Sequence, residues 1–150
     1  KLTERRLPFL NLSTNRMKEQ SHRKHFLLDA QGQVLGRLAT RIAEIVSGKR
    51  KKDFSPHIDG GDFAVVVNTD GMVVTGKKLE DKIYHRFSGY PGGITSTRLK
   101  DQMKKDSRKV LEMAVYGMLP KNKLRDRMMT RLLFHCDAEH RYSVDETITL

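Results

Sequence analysis

Apolar residues in this chain fall into short, separated groups, and the spacing inside each group predicts a different element. Phe26, Leu27 and Leu28 form a brief continuous run that reads as a strand, and Gly32 follows as a turn. Leu35, Leu38, Ile42, Ile45 and Val46 then recur at helical spacing, with Arg37, Arg41 and Glu44 on the other side. Gly48 closes this helix, because glycine accepts the left-handed conformation that ends many helices. Phe63 to Val67 is a continuous apolar, β-branched run of the kind found in strands buried on both faces. The order strand, helix, strand predicts a parallel pair joined by a right-handed crossover.

Beyond residue 67 the signal is less regular. Met72 to Thr75 and Ile83 to Phe87 read as strands, with Lys77, Lys78 and Lys82 between them, and Pro91, Gly92 and Gly93 break the pattern. Val110, Leu111, Ala114, Val115 and Met118 predict a second amphipathic helix. Leu124, Met128, Met129 and Leu132 predict a third after Pro120, with Leu132 to Phe134 closing as a last strand. Residues 1–23 show no sustained period and read as a basic arm, 24–136 as one α/β domain, and 137–150 as a tail. Asp137, Glu139, Asp145 and Glu146 oppose only Arg141 in that tail, so it is expected to point away from any polyanion.

Charge narrows the function. Of 150 residues, 29 are Lys or Arg against 18 Asp or Glu, a formal charge of +11, which favours a polyanionic partner, nucleic acid first. No apolar run approaches the roughly 20 residues needed to span a bilayer, so no membrane partner is expected. Cys136 is the single cysteine, so an internal disulfide is impossible and an intracellular setting is expected. The opening stretch with Arg5, Arg6, Arg16, Lys18 and Arg23 is either what remains of an organellar precursor or simply an arm.

Candidate chemistry largely dissolves on inspection. Gly32 and Gly36 do not match the spacing of phosphate-binding or dinucleotide-binding loops, so they read as a tight turn into a helix. Asp59-Gly60-Gly61-Asp62 reads as a loop rather than a metal site, because two carboxylates underdetermine coordination. His135, Cys136 and His140 lack the second ligand pair of a structural zinc site, and no nucleophile sits in a catalytic context. No cofactor, metal, small-molecule substrate or catalytic residue is therefore expected.

The basic loops remain. Lys49-Arg50-Lys51-Lys52 sits between two core elements near Phe54, Pro56 and His57, and each phosphate neutralised by such cations releases counterions. Ser88-Gly89-Tyr90-Pro91-Gly92-Gly93 offers glycines that permit close backbone approach and a tyrosine able to stack on a base. Gly117 to Asn122 ends one helix and starts another, placing Lys121 near a helix start where anions are favoured. Taken alone, each is also an ordinary surface turn.

At these loops the chain resembles the universal large-subunit ribosomal proteins of the L-thirteen family. The resemblance rests on Asp29-Ala30, Leu35-Gly36-Arg37-Leu38-Ala39, Pro56-His57, Gly61-Asp62-Phe63, Val74-Thr75-Gly76-Lys77-Lys78, Ser88 to Gly93 and Gly117 to Asn122, in family order from about residue 25 to 135. It implies a three-layer α/β/α domain with a small, mainly parallel sheet, bound to large-subunit ribosomal RNA beside neighbouring ribosomal proteins and important early in assembly. The RNA contacts it implies are Lys49, Arg50, Lys51, Lys52, His57, Lys77, Lys78, Arg86, Ser88, Gly89, Tyr90, Gly92, Gly93, Lys121, Asn122, Arg125 and Arg127.

The chain departs from the family where His25 and Phe26 replace an aromatic pair, where Asp126 replaces a basic residue, and where Asp137 to His140 replaces a glycine and proline ending. Lys121 to Arg125, Met128-Met129, the tail and the arm are similar to mitochondrial members, which favours the mitochondrial matrix over a bacterial cytoplasm. The rival reading from another class is a small α/β enzyme or nucleotide-binding protein acting on a phosphorylated ligand. Regulatory binding to messenger RNA would use the same basic surface.

Overall fold

The computed structural model describes residues 23–148, so the basic arm, apart from Arg23, lies outside the described residues. The predicted start is present in order: β1 (His25–Asp29), α1 (Leu35–Ser47) and β2 (Phe63–Val67). The chain continues through α2 (Lys78–Asp81), β3 (Ile83–Phe87), β4 (Ile94–Arg98), α3 (Leu99–Lys105), α4 (Ser107–Met118), α5 (Arg125–Met129), β5 (Leu132–Phe134) and β6 (Glu146–Ile148). The central sheet has the order β5-β2-β1-β6 and all three of its pairings are parallel. The fold is α/β, with a separate antiparallel sheet of β3 and β4.

Alternation along the strands sorts the sheet into two faces. Phe26, Leu28, Ala64, Val66 and Leu132 join one buried cluster with Leu38, Ile42, Ile45, Val46, Leu111, Val115 and Met128, so α1, α4 and α5 share that face. Each fully buried Leu, Ile or Val contributes about 1.5–3 kcal/mol of transfer free energy, which makes this cluster the main stabilising term. On the opposite face His25 stacks on Phe63 with ring centroids 4.6 Å apart, and Tyr142 stacks on His25 at 6.5 Å. The segment after β5 therefore covers the face that the helices leave.

The α1 terminus follows the sequence reading. Gly48 adopts φ 80°, and the Gly48 and Lys49 N–H groups close onto the Ile45 and Glu44 carbonyls at 3.0 Å each. Gly61 has no alternative, because a Cβ there would sit 1.7 Å from the Val46 carbonyl oxygen.

Four details differ from expectation. Met72 to Thr75 forms no strand: Val73 makes one isolated bridge to Val34, and the left-handed Gly76 then turns the chain away. The helix expected to run from Leu124 to Leu132 covers only Arg125–Met129, because Leu132 already pairs with Ala64 in β5. β5 is not last, since Glu146–Ile148 adds β6 to the free side of β1. β3 is a strand as expected, but its partner is β4, whose sequence Ile-Thr-Ser-Thr-Arg carries no apolar alternation.

Candidate nucleic-acid interface

Because the central strands are parallel, loops entering them gather at one edge of the sheet and loops leaving them at the other. The connection from Gly48 to Asp62 belongs to the entering edge. There Arg131, 2% exposed, donates from Nη1 to Asp59 Oδ2 at 2.6 Å and from Nη2 to Asp59 Oδ1 at 2.5 Å and the Val46 carbonyl at 2.9 Å. Arg23 reaches the same carboxylate at 3.4 Å. Burial on its own raises the Asp59 carboxyl, but hydrogen bonds and charge from Arg131, with the charges of Arg23 and Arg127, outweigh it and hold the group below its ordinary value.

Asp62 fixes the other end of this loop, accepting from Lys51 Nζ at 2.6 Å and from the Lys24 N–H at 3.1 Å. Lys51 also donates to the Gly60 carbonyl at 2.9 Å. The loop expected between two core elements is thus present, but one of its four cations is committed to the protein itself. Lys49 and Lys52 are exposed and form no ion pair with a described residue. Arg50 lies over the Phe26 ring at 5.8 Å, and His57 is exposed in the turn that Ser55 and Ile58 close.

The α4 to α5 connection leads into β5 at this same edge. Lys121 and Asn122 are exposed, and so is Arg127 on α5. Arg125 differs: its Nε donates to the Pro120 carbonyl at 3.0 Å, its Nη2 to Leu119 at 3.1 Å, and its guanidinium lies 4.5 Å above the Tyr116 ring. It caps the carbonyls at the end of α4.

The second group lies on an excursion that leaves and rejoins the opposite edge, since Ser107 Oγ meets Thr69 Oγ1 at 2.9 Å. Lys77 and Lys78 stand exposed at the start of α2, and Arg86 is exposed on β3 opposite Thr95. The β3 to β4 turn is closed by Ser88 N–H donating to the Gly93 carbonyl at 3.0 Å and Gly93 N–H to Tyr90 at 2.9 Å. Gly89 and Gly92 take φ 93° and 75°, left-handed conformations that favour glycine in this turn, while a Cβ on Gly93 would need the Ser88 hydroxyl to rotate away. Tyr90 is 76% exposed at the tip, and the cross-strand neighbours Phe87 and Ile94 are 63% and 64% exposed.

Sequence reasoning did not find Arg131 or the role of Asp59, whose partners are 72 residues apart with no local pattern to mark them. Nor do the glycines after β1 form an anion cradle: the Gly32 N–H donates to the Gly71 carbonyl and the Gln33 N–H to Ala30. Among the described residues no three His, Cys, Asp or Glu side chains converge on a metal-sized space. No described helix is long and apolar enough to cross a membrane.

Comparison with known proteins fits this arrangement. The large ribosomal subunit protein uL13 of Clostridioides difficile is 53% identical over 121 residues, covering 81% of this chain and 85% of that relative. Its counterpart in Caldanaerobacter subterraneus is 50% identical over 124 residues, with 83% and 87% covered. That of Thermotoga maritima is 47% identical over 122 residues, with 81% and 82% covered. The family model described as Ribosomal protein L13 matches residues 23–141, well over half of the chain, and the chain belongs to that family.

Proposed function

We propose that this chain is a structural, non-catalytic constituent of the large ribosomal subunit that binds large-subunit ribosomal RNA, contacts neighbouring ribosomal proteins and supports subunit assembly. In this reading residues 24–136 form the RNA-binding domain, preceded by the basic arm 1–23, and the acidic segment 137–150 is not a free tail but completes the central sheet through β6. The observation that carries it is the exposure of Lys49, Arg50, Lys52, Lys77, Lys78, Lys121 and Arg127 on segments that enter or leave one packed α/β core. Arg86, Tyr90 and the Ser88 to Gly93 turn extend that surface, and His57 and Asn122 flank it. Cations at both edges of the sheet suit a protein that holds two RNA elements together by phosphate contact and shape. Within this surface, Lys51 and Arg125 act chiefly by positioning loops, given the carboxylate and carbonyls they already engage.

The test is sedimentation of the native protein through a sucrose gradient. It is expected to travel with the large subunit and to leave it at high salt, and recovery at the top of a low-salt gradient would overturn the reading. We assign it further to mitochondrial ribosomes, on the Lys121 to Arg125 run, Met128-Met129, the tail and the arm. The relatives above are bacterial and lend this finer assignment no support, so gradients of isolated mitochondria decide it.

A further inference from the structure

A further charged surface lies apart from both loop clusters. An open cleft of about 740 Å³ runs between α1 and the edge strand β6, lined by Arg37, Arg41, Arg50, Glu44, Ile45 and Ile148 among others. Its lining includes Ile45, 2% exposed, and the half-buried Ile148, and carries three guanidinium groups against one carboxylate. The Arg41 to Glu44 pair, 3.4 Å apart and well exposed, is the only ion pair among the described residues that uses a cleft arginine. Such a pair is weak and yields readily to a stronger anion.

The cleft joins a smaller one of about 310 Å³ at Ile45 and Arg50, and the charge changes at that junction. Beyond Arg50 the lining cations Lys24 and Lys51 face Asp62 and Glu146, so that end is close to neutral. The arginine end alone is strongly cationic. Arg37 and Arg41 lie one helical turn apart on one face of α1, about 6 Å along its axis, and Arg50 continues the row past the helix end. Arginine's planar fork suits the paired oxygens of a phosphodiester.

We propose that this cleft binds the sugar-phosphate backbone of ribosomal RNA, as a third contact surface distinct from the two loop clusters, with Arg37 and Arg41 as new binding residues and Arg50 linking it to the Lys49 to Lys52 loop. The proposal rests on the RNA-binding reading above. It differs in placing contacts on the outer face of α1, where helical periodicity alone assigns a solvated polar stripe.

The test uses the full chain with an in vitro transcribed large-subunit ribosomal RNA, measuring affinity across a salt series for wild type, Arg37→Gln/Arg41→Gln and Lys49→Gln/Lys52→Gln. Both side-chain pairs are exposed, so thermal unfolding is expected to match wild type for each variant. The arginine variant is expected to reduce the salt slope by about 1.4–1.8, as loss of two phosphate contacts should. Arg37→Lys/Arg41→Lys is expected to restore the slope but only part of the affinity, since lysine keeps the charge without the fork. If Lys49→Gln/Lys52→Gln reduces the slope and Arg37→Gln/Arg41→Gln does not, the cleft proposal fails while RNA binding stands. If the arginine variant keeps wild-type RNA binding but loses large-subunit association, a protein occupies the cleft and the proposal also fails. If wild type shows no salt-dependent binding at all, both readings fall.

Discussion

The corner around Asp59 and the turn at Tyr90 both carry glycines and both belong to the proposed RNA surface, yet they are built by opposite means. At the corner, Arg131 is 2% exposed and engages one carboxylate and one carbonyl, while Lys51 engages another carboxylate 6% exposed. At the turn, the strands β3 and β4 hold each other by main-chain pairing, and Tyr90, Phe87 and Ile94 face outward. A formal charge of +11 therefore divides into two populations. Some cations fix the protein's own loops, and the rest remain available to a partner.

The largest expected effect comes from removing the inner population. Arg131→Met leaves Asp59 part-buried without its bidentate partner, and breaking a buried pair this way costs about 3–5 kcal/mol. The thermal midpoint should fall steeply, and an unchanged midpoint would erase the distinction between the two regions. Acid attacks the same pair. Because the folded state lowers the Asp59 carboxyl, its stabilisation is complete above the ordinary carboxylate range and disappears as pH falls through the depressed value. Arg131→Met should flatten that acid dependence.

The next effect belongs to the outer population. Tyr90→Ala is expected to leave stability within about 0.5 kcal/mol of wild type, as for an exposed side chain. RNA affinity should fall by about 1–3 kcal/mol if the ring stacks on a base, read by titration with large-subunit ribosomal RNA. Loss of stability without loss of affinity would place Tyr90 with the structural residues instead.

Arg125 tests the boundary between the populations, since sequence resemblance puts it on the RNA and the structure ties it to Leu119, Pro120 and the Tyr116 ring. Arg125→Gln should cost about 1 kcal/mol of stability through the lost carbonyl bonds. Its salt slope for RNA should change less than that of Arg127→Gln, whose exposed guanidinium bonds no described partner. The reverse ranking would return Arg125 to the contact surface.

Legibility in the sequence followed the same divide. β1, α1 and β2 were readable because burial imposes a period: an apolar run, a helical stripe ended by Gly48, and a β-branched strand. β4 and β6 were not, since Ile-Thr-Ser-Thr-Arg and Glu-Thr-Ile carry no period, and a partner edge rather than a hydrophobic face recruits them. The exposed basic loops were legible from charge and from the ordered family motifs. Arg131 was not, because nothing within a few residues distinguishes it from Arg125 or Arg127, and Asp59 becomes its neighbour only after the sheet has formed.

The smallest and sharpest comparison lies between adjacent lysines. Lys51 and Lys52 share one loop, one charge and nearly one position in the chain, so composition and resemblance treat them alike. Lys51 Nζ bonds Asp62 and the Gly60 carbonyl, whereas Lys52 is exposed with no ion pair to a described residue. Lys51→Gln should therefore lower stability by about 1 kcal/mol, with Asp62 retaining only the Lys24 N–H, and should move the RNA salt slope little. Lys52→Gln should leave the thermal midpoint in place and reduce the slope by about 0.7–0.9, the share of one phosphate contact. Equal slopes for the two variants would mean that RNA draws Lys51 away from Asp62 on binding, and that the corner opens when its partner arrives.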